Sequence, residues 1–174
     1  MNKEDLQKFC YEGLGKDKIK IPWTDGEYTY ATNGHICIKV PAISDVPEIP
    51  NPVNAEKIFR KLPQPFEWFP VPPVAKPRKQ KEIICVDCDG TGKDDDNKCP
   101  KCGHKKDCPE CDGTGKVKEY IPPRFLQIGD QFFDEKYLYL LQGFPNVQIG
   151  PATGEIAARI KFDGGEGLLM PVKI

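Results

Sequence analysis

Three cysteine pairs, each with two intervening residues, are the groups in this sequence most suited to chemistry. They are Cys85/Cys88, Cys99/Cys102 and Cys108/Cys111. A CxxC turn can present two thiolates to one tetrahedral zinc ion at about 2.3 Å each. The first and last pairs are separated by 19 residues, 89 to 107, a spacing typical of four-cysteine zinc sites. We therefore predict that these two outer pairs bind one Zn²⁺ in a closed, structural site that leaves no position for a substrate.

The two outer pairs are followed by the same residues. CVDCDGTGK begins at Cys85 and CPECDGTGK begins at Cys108. The glycines allow backbone N–H groups to turn toward the sulfur atoms, which stabilises thiolate over thiol. Both segments resemble the CxxCxGxG repeats in the cysteine-rich region of DnaJ-type chaperones. In that family the outer repeats share one zinc ion and the inner repeats share a second, so the resemblance implies the same outer site.

The middle pair differs, because Gly103-His104 follows Cys102 where a repeat would continue. Two interpretations stay open. Cys99, Cys102 and His104 could bind a second Zn²⁺, with a water molecule, an aspartate from 94–96 or a neighbouring molecule as the fourth ligand. Alternatively, His104 is a solvated loop residue and the middle pair is metal-free or labile.

Lysines surround the middle pair. They are Lys98, Lys101, Lys105 and Lys106, and the segment 76–118 carries 11 Lys and Arg against 9 Asp and Glu. Charge on a zinc loop usually forms a solvated surface; the alternative is contact with nucleic-acid phosphates, which would weaken with salt. So polar an insert buries too little apolar surface to fold alone. We expect metal binding to supply most of its folding free energy.

The remaining sequence predicts an α+β domain of helices and antiparallel strands into which the cysteine-rich module is inserted. Capped helices are expected after Asn2, Asn54 and Asp134. Alternation predicts a strand through Ile19, Ile21 and Trp23, a type I′ hairpin at Asn33-Gly34, and a final strand from Gly167 to Lys173. The helix after Asn54 is expected to bury Ile58, Phe59 and Leu62.

The domain organisation follows from composition. Residues 1–62 and 121–174 are predicted to form the two halves of one domain, and 81–118 the zinc module. The proline-rich segment 63–80 links residues 1–62 to the zinc module and is expected to be extended. Its aromatic residues are Phe66, Trp68 and Phe69, and we expect them to dock back onto the domain.

The two flanks resemble a second family at two places. Tyr30-Ala31-Thr32-Asn33-Gly34-His35 is similar to the ATDGHR-type hairpin of bacterial DNA polymerase sliding clamps, with Asn33 in place of the usual Asp. The C-terminal segment resembles the end of a clamp domain, with a helix DEKYLYLLQGFP and a terminal GLLMPVK similar to the family's MPxR strand. Lys173 stands where Arg is common. Clamps have three such domains per chain and this chain matches one, so the resemblance does not extend to a closed ring.

The clamp resemblance also implies a groove for partner peptides. By position, it maps onto the terminal residues Leu168, Met170, Pro171 and Val172. The simpler interpretation is that an apolar final strand belongs to the core.

No sequence motif indicates an enzyme: there is no Walker loop, GxSxG elbow or HExxH. The formal net charge of −1 favours neither nucleic acid nor a membrane. We predict a cytoplasmic, non-enzymatic accessory or adaptor protein of DNA metabolism, bacterial or phage, without membrane or small-molecule ligands. Its partner would be DNA or a replication or repair protein, with homo-oligomers left open. The alternative is a chaperone-like or inhibitory protein-binding module.

Overall fold

A computed structural model describes residues 1–13, 15–49, 52–98 and 100–173. The chain divides into two compact units. The first consists of Met1–Pro77 and Pro123–Ile174, and the second of Arg78–Pro122. The predicted cysteine-rich module of residues 81–118 lies within the second unit. Among the described residues, no helix combines the length and apolar character needed to cross a bilayer.

Short helices and strands make up the first unit, and short strands make up most of the second. The helices are α1 (Lys3–Gln7), α2 (Ala55–Lys61) and α3 (Glu135–Leu141). The strands are β1 (Trp23–Thr24), β2 (Tyr28–Thr32), β3 (Ile36–Pro41), β4 (Phe69–Pro70), β5 (Glu82–Ile84), β6 (Lys93–Lys98), β7 (Lys105–Asp107), β8 (Lys116–Lys118), β9 (Phe125–Ile128), β10 (Gln131–Asp134), β11 (Gln148–Gly150), β12 (Ala158–Phe162) and β13 (Gly165–Leu169). The second unit contains β5 to β8, and all other elements belong to the first.

A seven-stranded antiparallel sheet forms the centre of the first unit. Its strand order is β1-β2-β3-β13-β12-β11-β4, so strands from both sides of the insert meet where β3 pairs with β13. Strands β9 and β10 form a separate hairpin. The described elements thus give an α+β arrangement with more strand than helix.

Hydrophobic clusters cover both faces of this sheet, because side chains alternate along a strand. Ile38 and Leu169 belong to a cluster shared with α1 and α3. Cys37 and Leu168, one position away on the same strands, belong to a cluster under α2. The Arg159 guanidinium holds the end of α2 by donating to the carbonyls of Phe59, Leu62 and Pro63.

The three predicted helix starts are confirmed. The Asn2 side chain accepts a hydrogen bond from the Asp5 N–H in a capping box, Asn54 caps α2, and Asp134 caps α3. In each case a side-chain oxygen satisfies a backbone N–H that has no partner within the helix. However, Ile58 of α2 is largely exposed, so its predicted burial is wrong.

Two local predictions for the first half are wrong. Residues Asp17–Ile19 form a 3₁₀ helix, and Ile21 is 42% exposed, so only Trp23–Thr24 is strand in this region. The β2–β3 hairpin exists, but Asn33 does not adopt the positive φ that a type I′ turn requires. Its side-chain oxygen instead accepts the N–H groups of His35 and Ile36.

The ends of the chain's last strand also differ from the prediction. Strand β13 begins at Gly165 and ends at Leu169. Beyond it, Val172 makes an isolated bridge to Phe132 of β10. Met170 still donates its N–H to the His35 carbonyl at 2.8 Å, so the terminal segment leaves the large sheet after Met170.

The proline-rich segment is extended and adds β4 to the edge of the sheet, next to β11. Phe69 packs against the hydrophobic core, and Trp68 lies 4.3 Å (ring centroid) from the Lys161 amine. Phe66 is fully exposed. The expected docking is therefore found for two of these aromatic residues and is wrong for Phe66.

Candidate metal centre

The two outer CxxC segments adopt the same structure, 23 residues apart. In each, a threonine hydroxyl donates to the carbonyl of the second cysteine: Thr91 to Cys88 and Thr114 to Cys111. A glycine N–H also returns to the carbonyl of the first cysteine of each pair, from Gly90 and from Gly113. The shared CDGTG sequence therefore gives a shared turn.

The two turns hold each other through the backbone. The Cys85 N–H donates to the Gly115 carbonyl, and the Cys108 N–H donates to the Gly92 carbonyl, at 3.0 Å each. The β5–β8 ladder ends beside one of these bonds and the β6–β7 ladder beside the other. Each cysteine pair is therefore fixed by the tail of the other repeat.

Four thiols converge at the centre of this arrangement. They belong to Cys85, Cys88, Cys108 and Cys111, are buried, and lie within 4.8 Å of one another. The Sγ atoms are 3.9 Å apart for Cys85 and Cys108, and 3.8 Å apart for Cys88 and Cys111. Tetrahedral ligands at about 2.3 Å from a zinc ion lie about 3.8 Å apart. The spacing is thus compatible with one tetrahedral metal ion.

Backbone N–H groups support the thiolate form at two of the four sulfurs. The Gly92 N–H donates to Cys88 Sγ at 3.3 Å, and the Gly115 N–H donates to Cys111 Sγ at 3.2 Å. Burial opposes ionisation of Cys88, but the Gly92 hydrogen bond and the neighbouring thiols lower its pKa to about 7. Burial raises the pKa of the Cys85 thiol to about 12. Four thiols this close can ionise together only beside a cation, which a bound metal supplies.

Cys102 and His104 do not join this cluster. Both residues are exposed, and Cys99 lies outside the described residues. Among the residues that the structure describes, no second group of three or more potential metal ligands occurs. The structure therefore supports a site for one metal ion.

The predicted nucleic-acid lysines lie at the β6–β7 hairpin. Lys98, Lys101, Lys105 and Lys106 are all exposed. Lys105 pairs with the Asp95 carboxylate on the facing strand, and Lys93 pairs with Asp107 at 2.6 Å. Asp95 therefore offsets the positive charge of one of the four predicted lysines, Lys105.

Two of the four predicted partner-binding residues line a cavity in the first unit, which we call the apolar groove. Leu168 and Met170 are in its wall, and its volume is about 330 Å³. Pro171 and Val172 are half-buried and are not among its lining residues. The opposite wall comes from α2, including Ile58 and Phe59.

Sequence reasoning identified the C-terminal wall of the apolar groove and missed the others. The 3₁₀ helix (Ile19), α2 and the β2–β3 hairpin contribute to it. These segments are far apart in the sequence, and only the pairing of β3 with β13 brings them to one place. The exposure of Ile58 marks the α2 wall of the groove, but this exposure is visible only in the folded chain.

No family model, curated protein or solved structure matches this chain. The fold and the site themselves define an α+β protein with an inserted module whose four cysteines could hold one metal ion.

Proposed function

We propose that this chain is a non-enzymatic, zinc-dependent adaptor of DNA metabolism, which holds a peptide of a replication or repair protein in the apolar groove. The observation that carries the proposal is that both segments resembling a sliding clamp border this groove. Thr32, Gly34 and His35 come from the hairpin, and Leu168 and Met170 from the C-terminal segment. The two resemblances were drawn from separate parts of the sequence and meet at one cavity.

Zinc is the metal that best suits the four-cysteine cluster. Four thiolates favour Zn²⁺ over Mg²⁺ or Ca²⁺, which prefer oxygen ligands. Four protein ligands also complete its coordination, so the ion stabilises the module and activates no substrate. Reduced thiols are needed throughout, which fits a cytoplasmic protein of bacterial or phage origin.

The chemistry of the apolar groove suits a short peptide with an apolar anchor. Its wall contains Ile36, Phe59 and Leu168, and the partly exposed Ile58 and Met170 lie at its rim. Burial of an apolar side chain there would contribute about 1.5–3 kcal/mol. His35 and Lys16 add the polar groups of the wall and could orient the peptide.

A peptide array can test this proposal. The array carries overlapping 15-residue peptides from the replication and repair proteins of the source genome, and is probed with the labelled, zinc-loaded protein. Met170→Glu should abolish retention by placing a charge in the groove, whereas Ile21→Glu should not. The two residues are equally exposed, at 42% each, and Ile21 does not line the groove. Absence of any bound peptide, or equal retention by Met170→Glu, would remove the proposal.

A chaperone-like activity of the second unit is the alternative. Ile83, Ile84 and Val86 are exposed in and beside β5, next to the first cysteine pair. Exposed apolar patches are a feature of protein-binding surfaces. If this is the function, the protein should suppress aggregation of reduced insulin, and chelation or Ile84→Ser should abolish that effect. The adaptor proposal instead predicts that aggregation proceeds unchanged.

A further inference from the structure

A second groove in the first unit is lined by lysines and tyrosines, and we call it the lysine–tyrosine groove. Its volume is about 470 Å³. The basic residues of its lining are Lys8, Lys16, Lys76 and Lys136, and the tyrosines are Tyr11, Tyr137 and Tyr139. The segment that follows α1, helix α3, the β2–β3 hairpin and the end of the proline-rich segment all contribute. The segment that resembles a clamp includes Lys136, Tyr137 and Tyr139, whereas Lys8, Lys16 and Lys76 lie outside both resemblances.

Positive charge exceeds negative charge along the lysine–tyrosine groove. Lys8 pairs with Asp5 at 3.3 Å and Lys136 with Asp134 at 3.1 Å, and Glu12 also lines the groove. Among the described residues, Lys16 and Lys76 have no carboxylate within 4.0 Å. Exposed ion pairs are worth at most about 1 kcal/mol, so a phosphate can compete for their lysines.

Aromatic rings lie beside two of these cations. The Lys16 amine is 5.0 Å from the Tyr11 ring centroid, and the Lys136 amine is 4.6 Å from that of Tyr137. The exposed His35 ring stacks on Tyr137 at 6.2 Å. Tyr139 is half-buried and also lines the groove. Amines and ring faces in one groove match the two groups that a nucleic-acid strand offers, its phosphates and its bases.

We propose that the lysine–tyrosine groove binds single-stranded nucleic acid. Lys8, Lys16 and Lys76 contact successive phosphates, and an unpaired base lies against Tyr139. The strand must be single because the base faces of a duplex are already stacked on their neighbours. This site lies beyond the proposed adaptor function, and its lining includes none of the lysines of the β6–β7 hairpin.

Fluorescence anisotropy with labelled 12-nucleotide oligothymidylate and oligouridylate tests the proposal on the zinc-loaded, full chain. Each single-strand phosphate contact contributes about 0.7 to the slope of log K against log salt. Three contacts therefore predict that affinity falls about 20-fold between 50 and 200 mM salt. DNA and RNA are separate arms because phosphates and bases are common to both.

Variants locate the site. The double variant Lys8→Gln/Lys76→Gln should lower the slope of log K against log salt by about 1.4, because two phosphate contacts are lost. Lys57→Gln/Lys61→Gln carries the same charge change on α2, away from the groove, and should leave the slope unchanged. Tyr139→Leu keeps an apolar side chain and should weaken binding at least about fivefold at every salt concentration, because base stacking is lost.

Three results would overturn the proposal. The first is no binding of either strand at 50 mM salt. The second is that substitution of Lys98, Lys101, Lys105 and Lys106 by Gln abolishes binding while the groove variants retain it. The third is equal binding of a phosphoserine peptide. Lys8, Lys76 and Tyr139 do not line the apolar groove. Variants at these residues should therefore still bind the peptides of the array, whether or not they bind nucleic acid. Failure of the nucleic-acid proposal can thus be distinguished from failure of the adaptor proposal.

Discussion

Gly92 and Gly113 approach so closely in the cysteine-rich module that a Cβ atom on Gly92 would lie closer than 3.0 Å to the Gly113 carbonyl oxygen. Gly115 has the same relationship to the Gly90 carbonyl. Gly92 and Gly115 are also the residues whose N–H groups donate to cysteine sulfurs. One glycine in each repeat therefore permits both the backbone approach and the hydrogen bond to the thiolate.

Gly92→Ala should weaken metal retention by about 10- to 100-fold, the usual effect of disturbing groups that support metal ligands. Gly103→Ala is the matched control. Both glycines have φ of 72°, so both variants carry the same left-handed strain, but nothing lies within 4 Å of a Cβ on Gly103. Competition with a chromogenic zinc chelator measures the difference. Equal zinc affinity in the two variants would show that the close approach has no role.

Lys39→Met should destabilise the first unit by about 1–2 kcal/mol. The Lys39 side chain is 9% exposed and lies between the Glu56 and Glu166 carboxylates, at 2.7 and 3.2 Å. Its loss leaves two carboxylates short of a partner, although their exposure of 29% and 40% allows water to solvate them in part. Urea unfolding measures the change. Both tryptophans, Trp23 and Trp68, belong to the first unit, so their fluorescence reports on that unit.

Lys8→Met provides the comparison for Lys39→Met. Its ion pair with Asp5 is exposed on both sides, so the expected loss is below about 0.5 kcal/mol. A loss as large as that of Lys39→Met would mean that burial of the Lys39 amine has no energetic consequence.

Stability of the first unit should fall at acid pH partly through Glu56. The hydrogen bond from Lys39, followed by that from Arg60, lowers the pKa of this carboxyl below its ordinary value of 4.5. A carboxyl whose folded pKa is lowered contributes stability above its unfolded pKa and loses it as the pH falls through the folded pKa. Urea unfolding at pH 6 and pH 3.5 should therefore show a smaller loss for Glu56→Gln than for the natural chain. Identical losses would contradict this contribution.

The sequence predicted features that depend on local chemistry. Asn2, Asn54 and Asp134 cap helices because each needs only a nearby backbone N–H. The outer cysteines converge because spacing and the CDGTG turn determine their geometry.

Features that depend on distant partners could not be predicted. Ile19–Trp23 has the alternation of a strand, but Tyr11 N–H bonds to the Ile19 carbonyl and the segment follows a 3₁₀ turn. Strand β4 forms in a proline-rich segment only because β11 offers it an edge. Both grooves likewise join residues from segments that the sheet brings together.

Metal content tests the central claim that the four outer cysteines bind one zinc ion. Elemental analysis by inductively coupled plasma mass spectrometry should give about one zinc per chain for the natural protein and for Cys102→Ser, since Cys102 is exposed and outside the cluster. Cys88→Ser and Cys111→Ser should each contain far less, while the tryptophan fluorescence of the first unit stays native. Stoichiometric zinc in those two variants, or none in the natural protein, would contradict the claim.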